Sequence, residues 1–164
     1  MEREVKKSSE LTQAFKKLTY GFYIMSSKYE EKIAAGTVSW VSQVSFEPPL
    51  IMAAVKKDID LAKTVNKSGV FAINIIGKAE LKLIPEFSKD TLVENGKLNG
   101  EAFEEGETKS PLLTRLPAFL EAKVVETVDK GDHTIFIGEV VNAGVRNTDA
   151  EPLMEWETDY HYGG

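Results

Sequence analysis

Cysteine is absent from the 164-residue chain, which excludes disulfides, thiol nucleophiles and thiolate metal sites, iron–sulfur centres included. Histidine is nearly absent, with only His133 and His161, and two imidazoles alone do not make a zinc site. No metal is therefore expected. Glycine-rich phosphate loops of the Rossmann or P-loop spacing are missing, so a doubly wound dinucleotide-binding sheet is unsupported. A nucleophile elbow is missing too, and with it the support for hydrolase chemistry. No apolar run approaches the roughly 18–20 residues of a membrane span, and the charged start MEREVKKSSE has no apolar h-region behind it. A cytoplasmic protein without membrane association is expected. The net charge of −6 tells against a nucleic-acid partner, whose backbone is gripped by clustered lysine and arginine.

What is present reads as one ordinary globular domain spanning 1–164. Ser8 or Ser9 is placed to cap a short helix with Leu11, Phe15 and Leu18 on one stripe. Phe22 to Ser26 reads as a strand, Lys28 to Glu31 as a turn, and Ile33 to Phe46 as one extended run. Leu50 to Val55 is short and apolar enough for a buried strand. Asp58 then offers an N-cap to a helix that Gly69 ends. Val70 to Ile76 is another buried strand, and Ala79 to Phe87 has helical spacing interrupted by Pro85. Ser88 to Lys109 reads as a polar surface excursion. Phe119 to Val128, Thr134 to Val145 and Pro152 to Trp156 make the second half strand-rich, with Gly131 and Asp132 at a hairpin. Many strands with few helices predict a mainly β fold, a closed or nearly closed antiparallel barrel with short helices outside, because closure removes exposed edges.

Three places carry polar groups in suggestive patterns. In Gly36 to Pro49, GTVSWVSQVSFEPP, a period of two puts Thr37, Ser39, Gln43 and Ser45 on one face and Val38, Trp40, Ser42 and Val44 on the other. That pattern fits either a half-exposed strand or a ligand wall of hydroxyl and amide groups. Lys56 and Lys57 precede a helix start, where free N–H groups and the positive dipole end favour an anion. They fit equally a solvated loop, and Asp58 and Asp60 oppose an anion unless both turn away. His133, beside Asp132 at a strand start, is either a hydrogen-bonded surface residue or a polar group at a site rim.

The ordered set YGFYIMSS, AAGTVSWVSQVSFEPPLIMAAVKK, SGVFAINII, KGDHTIFIGEV and the closing DYHYGG resembles the flavin reductase-like FMN-binding split-barrel family over nearly the whole chain. It is most similar to the flavoredoxin-like modules found alone or fused to rubredoxin or flavodiiron proteins. The resemblance implies a homodimer of six-stranded antiparallel Greek-key split barrels, with FMN held non-covalently near the subunit interface. It further implies that Thr37, Val38, Ser39 and Trp40 lie along the flavin and that Ser42, Gln43, Ser45 and Phe46 continue the wall. Lys56 and Lys57 then reach the phosphate, although Asp60 stands where relatives carry Ser or Thr. His133 is the implied catalytic contact to flavin or nicotinamide, with Tyr160 and Tyr162 covering the site from either subunit. The implied activity is that of an NAD(P)H-dependent flavin oxidoreductase, passing electrons to free flavin or to a rubredoxin-like, flavodiiron or monooxygenase partner. The alternative is an FMN-containing electron carrier that exchanges electrons with a redox protein.

Overall fold

Alternating apolar residues in the middle of the chain form strands that wrap around one core. The computed structural model describes residues 2–164, with side chains from residue 9 onward. In chain order the elements are α1 (Glu2–Phe15), β1 (Tyr23–Tyr29), β2 (Lys32–Val38), β3 (Val41–Ser45), β4 (Leu50–Lys56), α2 (Asp60–Ser68), β5 (Val70–Ile75), α3 (Leu83–Glu86), β6 (Val93–Glu94), β7 (Lys97–Leu98), β8 (Glu101–Glu105), β9 (Pro111–Leu113), β10 (Ala118–Val128) and β11 (His133–Val145). Short 3-10 turns occupy Lys78–Glu80 and Glu155–Glu157.

The main sheet runs β2-β1-β5-β10-β11-β4-β3, with every pairing antiparallel. Its two ends, β2 and β3, are consecutive pieces of one chain segment. They are interrupted only at Ser39 and Trp40, where the Ala54 amide donates to the Trp40 carbonyl at 2.9 Å. The sheet therefore curls back on itself, and β2 with β3 acts as one bent strand in a six-stranded antiparallel barrel. A second sheet, β6-β7-β8-β9, is built from the polar interval around 88–113, which is thus more than a surface excursion.

Neighbouring residues of β1 show how the core divides. Met25 joins Ile51, Val55, Phe71, Ile73 and Phe136 inside the barrel. Ile24 joins Leu83, Phe87, Leu98, Leu113 and Leu116 on the other face, beneath α3 and the second sheet. Asn74, fully buried on β5, ties the layers: its amide donates to the Ile24 and Pro111 carbonyls at 3.1 and 3.3 Å, and its oxygen accepts the Leu113 amide at 2.9 Å. Helix α2 adds Leu61, Ala62 and Val65 to the barrel interior. Gly138 is required by close approach, because a Cβ there would meet the Phe71 ring at 2.9 Å and Ala122 at 2.8 Å.

Four expectations are corrected. Ser8 and Ser9 lie inside α1, not at its start, and Leu11, Phe15 and Leu18 are exposed rather than packed. The run Ile33 to Phe46 is two strands, so the period-two face does not pass through Ser39 and Trp40. Asp58 has φ 69° and does not cap α2, whose N-cap is Ile59 with no side-chain bond. Pro152 to Trp156 supplies isolated bridges and a 3-10 turn instead of a strand. Gly69, by contrast, ends α2 at φ 70° with its amide on the Val65 carbonyl at 2.8 Å. Among the described residues no helix is long and apolar enough to cross a membrane.

Candidate functional site

The end of β2 is where sequence chemistry and barrel geometry meet. As a sheet-edge strand it needs partners for its outer backbone groups, and the segment 84–91 supplies them. The Thr37 amide donates to the Phe87 carbonyl at 3.0 Å and the Thr37 hydroxyl to the Ile84 carbonyl at 2.9 Å. Thr91 both accepts the Ala35 amide at 3.0 Å and donates to the Ala35 carbonyl at 3.2 Å. Between this segment, the ends of β2 and β4, the start of α2 and the C-terminal tail lies a cleft of about 670 Å³. That size falls within the roughly 300–1,000 Å³ usual for small-molecule and cofactor sites.

Thr37, Val38, Ser39 and Lys56 all line the cleft. Val55, Leu61 and Phe87 give it an apolar wall. Helix α2 presents its first turn to the same space without a side-chain cap, so its N–H groups are available to an anion beside Lys56. Asp58 and Asp60 also line the cleft. Asp60 lies 3.4 Å from Lys32. Lys57 does not line the cleft: its ammonium lies 3.5 Å from Asp129, whose carboxyl is held below its usual range chiefly by the Thr134 hydroxyl and further by Lys57.

The remaining expected residues lie elsewhere. Ser42, Gln43 and Ser45 are on β3, away from the cleft, and Phe46 just beyond it is 89% exposed. Trp40 and His133 flank the cleft rather than line it. Their rings pack at a 38° tilt with centroids 4.5 Å apart, the Trp40 ring lies 5.1 Å from that of Tyr162 and 6.3 Å from that of Tyr20, and its buried Nε1 has no partner. His133 sits opposite Lys56 in the β11–β4 register. Its Nδ1 is 2.7 Å from the Asp132 carboxylate and its Nε2 is 2.6 Å from the Tyr162 hydroxyl. The hydrogen bond from His133 holds the Asp132 carboxyl low. Burial, then Asp132, pushes the Tyr162 phenol up.

One part of the site was not found in the sequence, and another, the tail with Tyr160 and Tyr162, was expected only from the resemblance. Ser88, Lys89 and Thr91 reach the cleft only because topology lays their segment along β2, and no spacing signals that. Tyr160, His161 and Tyr162 line the cleft of their own chain, with the tail anchored where Gly163 approaches Tyr20 and Trp40. Among the described residues no cluster of three or more histidine, aspartate or glutamate side chains could hold a metal ion. The arrangement suits a ligand with an apolar body and an anionic end.

Comparison with known proteins gives the same direction. The model of the family described as flavin reductase like domain matches residues 15–164. A ferric-chelate reductase (NAD(P)H) of Archaeoglobus fulgidus is 34% identical over 91% of this chain and 88% of its own. A high molecular weight rubredoxin of Moorella thermoacetica is 32% identical over 82% of this chain, which spans only 59% of that protein. An NADH:FAD oxidoreductase structure from Streptomyces globisporus superposes with a TM-score of 0.78 at 23% identity, covering 91% of this chain and 83% of that one, and so speaks for the fold.

Proposed function

The chain belongs to the flavin reductase like family, and from that premise we propose that it is an NAD(P)H-dependent flavin oxidoreductase working as one domain with non-covalent FMN. The observation that carries this reading is the cleft that brings the Thr37–Ser39 strand end, Lys56 and the uncapped start of α2 onto one space. Flavin, when bound, supplies the acceptor for hydride from a reduced nicotinamide. The protein's part is placement. Val38, Val55, Leu61 and Phe87 exclude water from the apolar wall, Thr37 and Ser39 offer polar atoms along it, and Lys56 with the α2 amides holds a phosphate. Asp132, His133 and Tyr162 form the hydrogen-bonded margin.

The similarity to a ferric-chelate reductase and to a rubredoxin supports onward transfer to free flavin or to a rubredoxin-like, flavodiiron or monooxygenase acceptor. The test is anaerobic mixing of FMN-loaded protein with NADH or NADPH, followed by flavin absorbance. Rapid bleaching is expected with at least one of them. Persistent colour with both favours the electron carrier, and failure to retain FMN overturns the assignment.

A cytoplasmic homodimer is the proposed working state. Val125 on β10 and Val141 and Val145 on the neighbouring β11, and, on the far side of β4, Val44 on β3 with Phe46 beyond it, leave apolar side chains exposed. Val125 and Val141 are the extra residues of the two β10–β11 register shifts, and bulges of this kind re-aim side chains. In this proposed dimer Ser42, Gln43, Ser45 and Phe46, which lie away from their own chain's cleft, complete the flavin wall of the partner subunit. Light scattering should give twice the 18.2 kDa chain mass; a monomeric mass removes the shared-site part of the proposal.

A further inference from the structure

Resting on the flavin and nicotinamide reading above, we propose that Tyr162 is the residue through which the Asp132–His133 pair reaches the bound nucleotide, with its hydroxyl on an amide group of the ligand and His133 as the positioning residue behind it. Tyr162 lines the cleft and His133 does not. The His133 side chain is 13% exposed and covered by Trp40, whereas Tyr162 is half exposed.

The chain of hydrogen bonds has a direction. The Asp132 carboxylate can only accept, so Nδ1 of His133 carries the proton. In the neutral ring Nε2 is then an acceptor, and the Tyr162 hydroxyl donates to it across 2.6 Å. The phenol's lone pairs are left to accept an amide N–H from the ligand. Protonation of His133 reverses the last bond: Nε2–H donates to the phenol oxygen, whose own proton becomes free for a ligand carbonyl. Ring protonation thus switches Tyr162 from acceptor to donor. The charged and titratable groups facing the ring are Asp132 from its own turn, Lys56 from β4 and Tyr162 from the tail. The upward displacement of the Tyr162 phenol by burial and by Asp132 keeps its proton available for either arrangement. The tail is steadied by His161, whose Nδ1 lies 3.6 Å from the buried Glu155 carboxylate.

The experiment compares Tyr162→Phe, His133→Ala and the double variant, all FMN-loaded and checked by circular dichroism. The readouts are FMN affinity, kcat and KM for the nicotinamide nucleotide, and the pH profile. Tyr162→Phe is expected to lower kcat/KM by about tenfold. The double variant should match Tyr162→Phe within about twofold, because neighbours acting as a unit are not additive. All three should still bind FMN, since Lys56 and the α2 amides that hold the phosphate are untouched, so the loss is read in the nicotinamide kinetics of the FMN-loaded protein. The pH profile of kcat/KM should differ between the wild type and Tyr162→Phe, because only the wild type has the hydroxyl whose role follows the His133 ring. Unchanged activity of Tyr162→Phe overturns the proposal, as do additive costs or a double variant that matches a larger His133→Ala loss. Wild-type protein that binds FMN and is not reduced overturns the underlying reading instead, which separates the two failures.

Discussion

Glu121→Ala is expected to lower the thermal midpoint by roughly 10 °C, from a loss of about 3–5 kcal/mol. Glu121 is fully buried on β10, and a buried carboxylate persists only where donors satisfy it. Here four do: the Glu107 amide at 2.9 Å, the Thr108 amide at 3.0 Å, the Thr108 hydroxyl at 2.6 Å and the Asn142 amide at 2.7 Å. They draw the turn after β8 down onto the β10–β11 ladder. Gly106 is part of the same fit, since a Cβ there would collide with the carboxylate. Alanine leaves all four donors without their acceptor.

The same site sets an acid limb. Burial works to raise the Glu121 pKa, but the bonds from the Thr108 hydroxyl, Asn142 and the two backbone amides outweigh it, and the net direction is downward from 4.5. A depressed folded value contributes stability above the unfolded pKa and loses it as pH falls through the folded one. Wild-type protein should therefore lose stability progressively below about pH 4. Glu121→Gln keeps the shape but turns an amide N–H₂ toward other donors, and should flatten that part of the profile while costing about 2 kcal/mol at neutral pH. Urea titrations of both variants against pH decide it; wild-type midpoints in either variant would show that the turn finds other partners without cost.

The strand pattern was legible because burial imposes it locally. Leu50 to Val55 and Val70 to Ile76 read as buried strands and are β4 and β5, and the split barrel follows from antiparallel closure. What pattern alone could not show is where a strand bends. The polar alternation from Thr37 to Ser45 looked continuous, yet closure of the barrel breaks it at Ser39 and Trp40, and the cleft ends there. Thr91 and Tyr162 illustrate the other limit. They meet β2 and His133 across 56 and 29 residues, and no local propensity encodes a contact made by topology. Asp58 failed as a cap for a subtler reason: Asp is a favoured N-cap type, but its φ of 69° places it in the turn before the helix, one residue too early.

Lys56→Ala is expected to weaken FMN binding by about 10–100-fold, the range for losing one charge-assisted contact to a phosphate, while Lys57→Ala changes it less than about threefold. Strand β4 ends at Lys56 and the chain turns at Lys57, so the two side chains diverge: Lys56 lines the cleft, whereas the Lys57 ammonium is with Asp129. The two lysines that sequence treated as a pair are thus separated by backbone geometry. Asp60 works against an anion in the same space, and its pairing with Lys32 is too exposed to neutralise it fully. Asp60→Ser should accordingly tighten FMN binding several-fold, removing a charge and offering a hydroxyl beside the α2 amides, with a larger gain at low ionic strength. Fluorescence titration of FMN against each variant reads all three effects. A Lys57→Ala loss exceeding that of Lys56→Ala would place the phosphate at the β10–β11 turn near Asp129 rather than at α2. Indifference to both Lys56 and Asp60 would remove the anionic end of the ligand from this cleft, because no isolated charge pair so close to a bound phosphate leaves affinity unmoved.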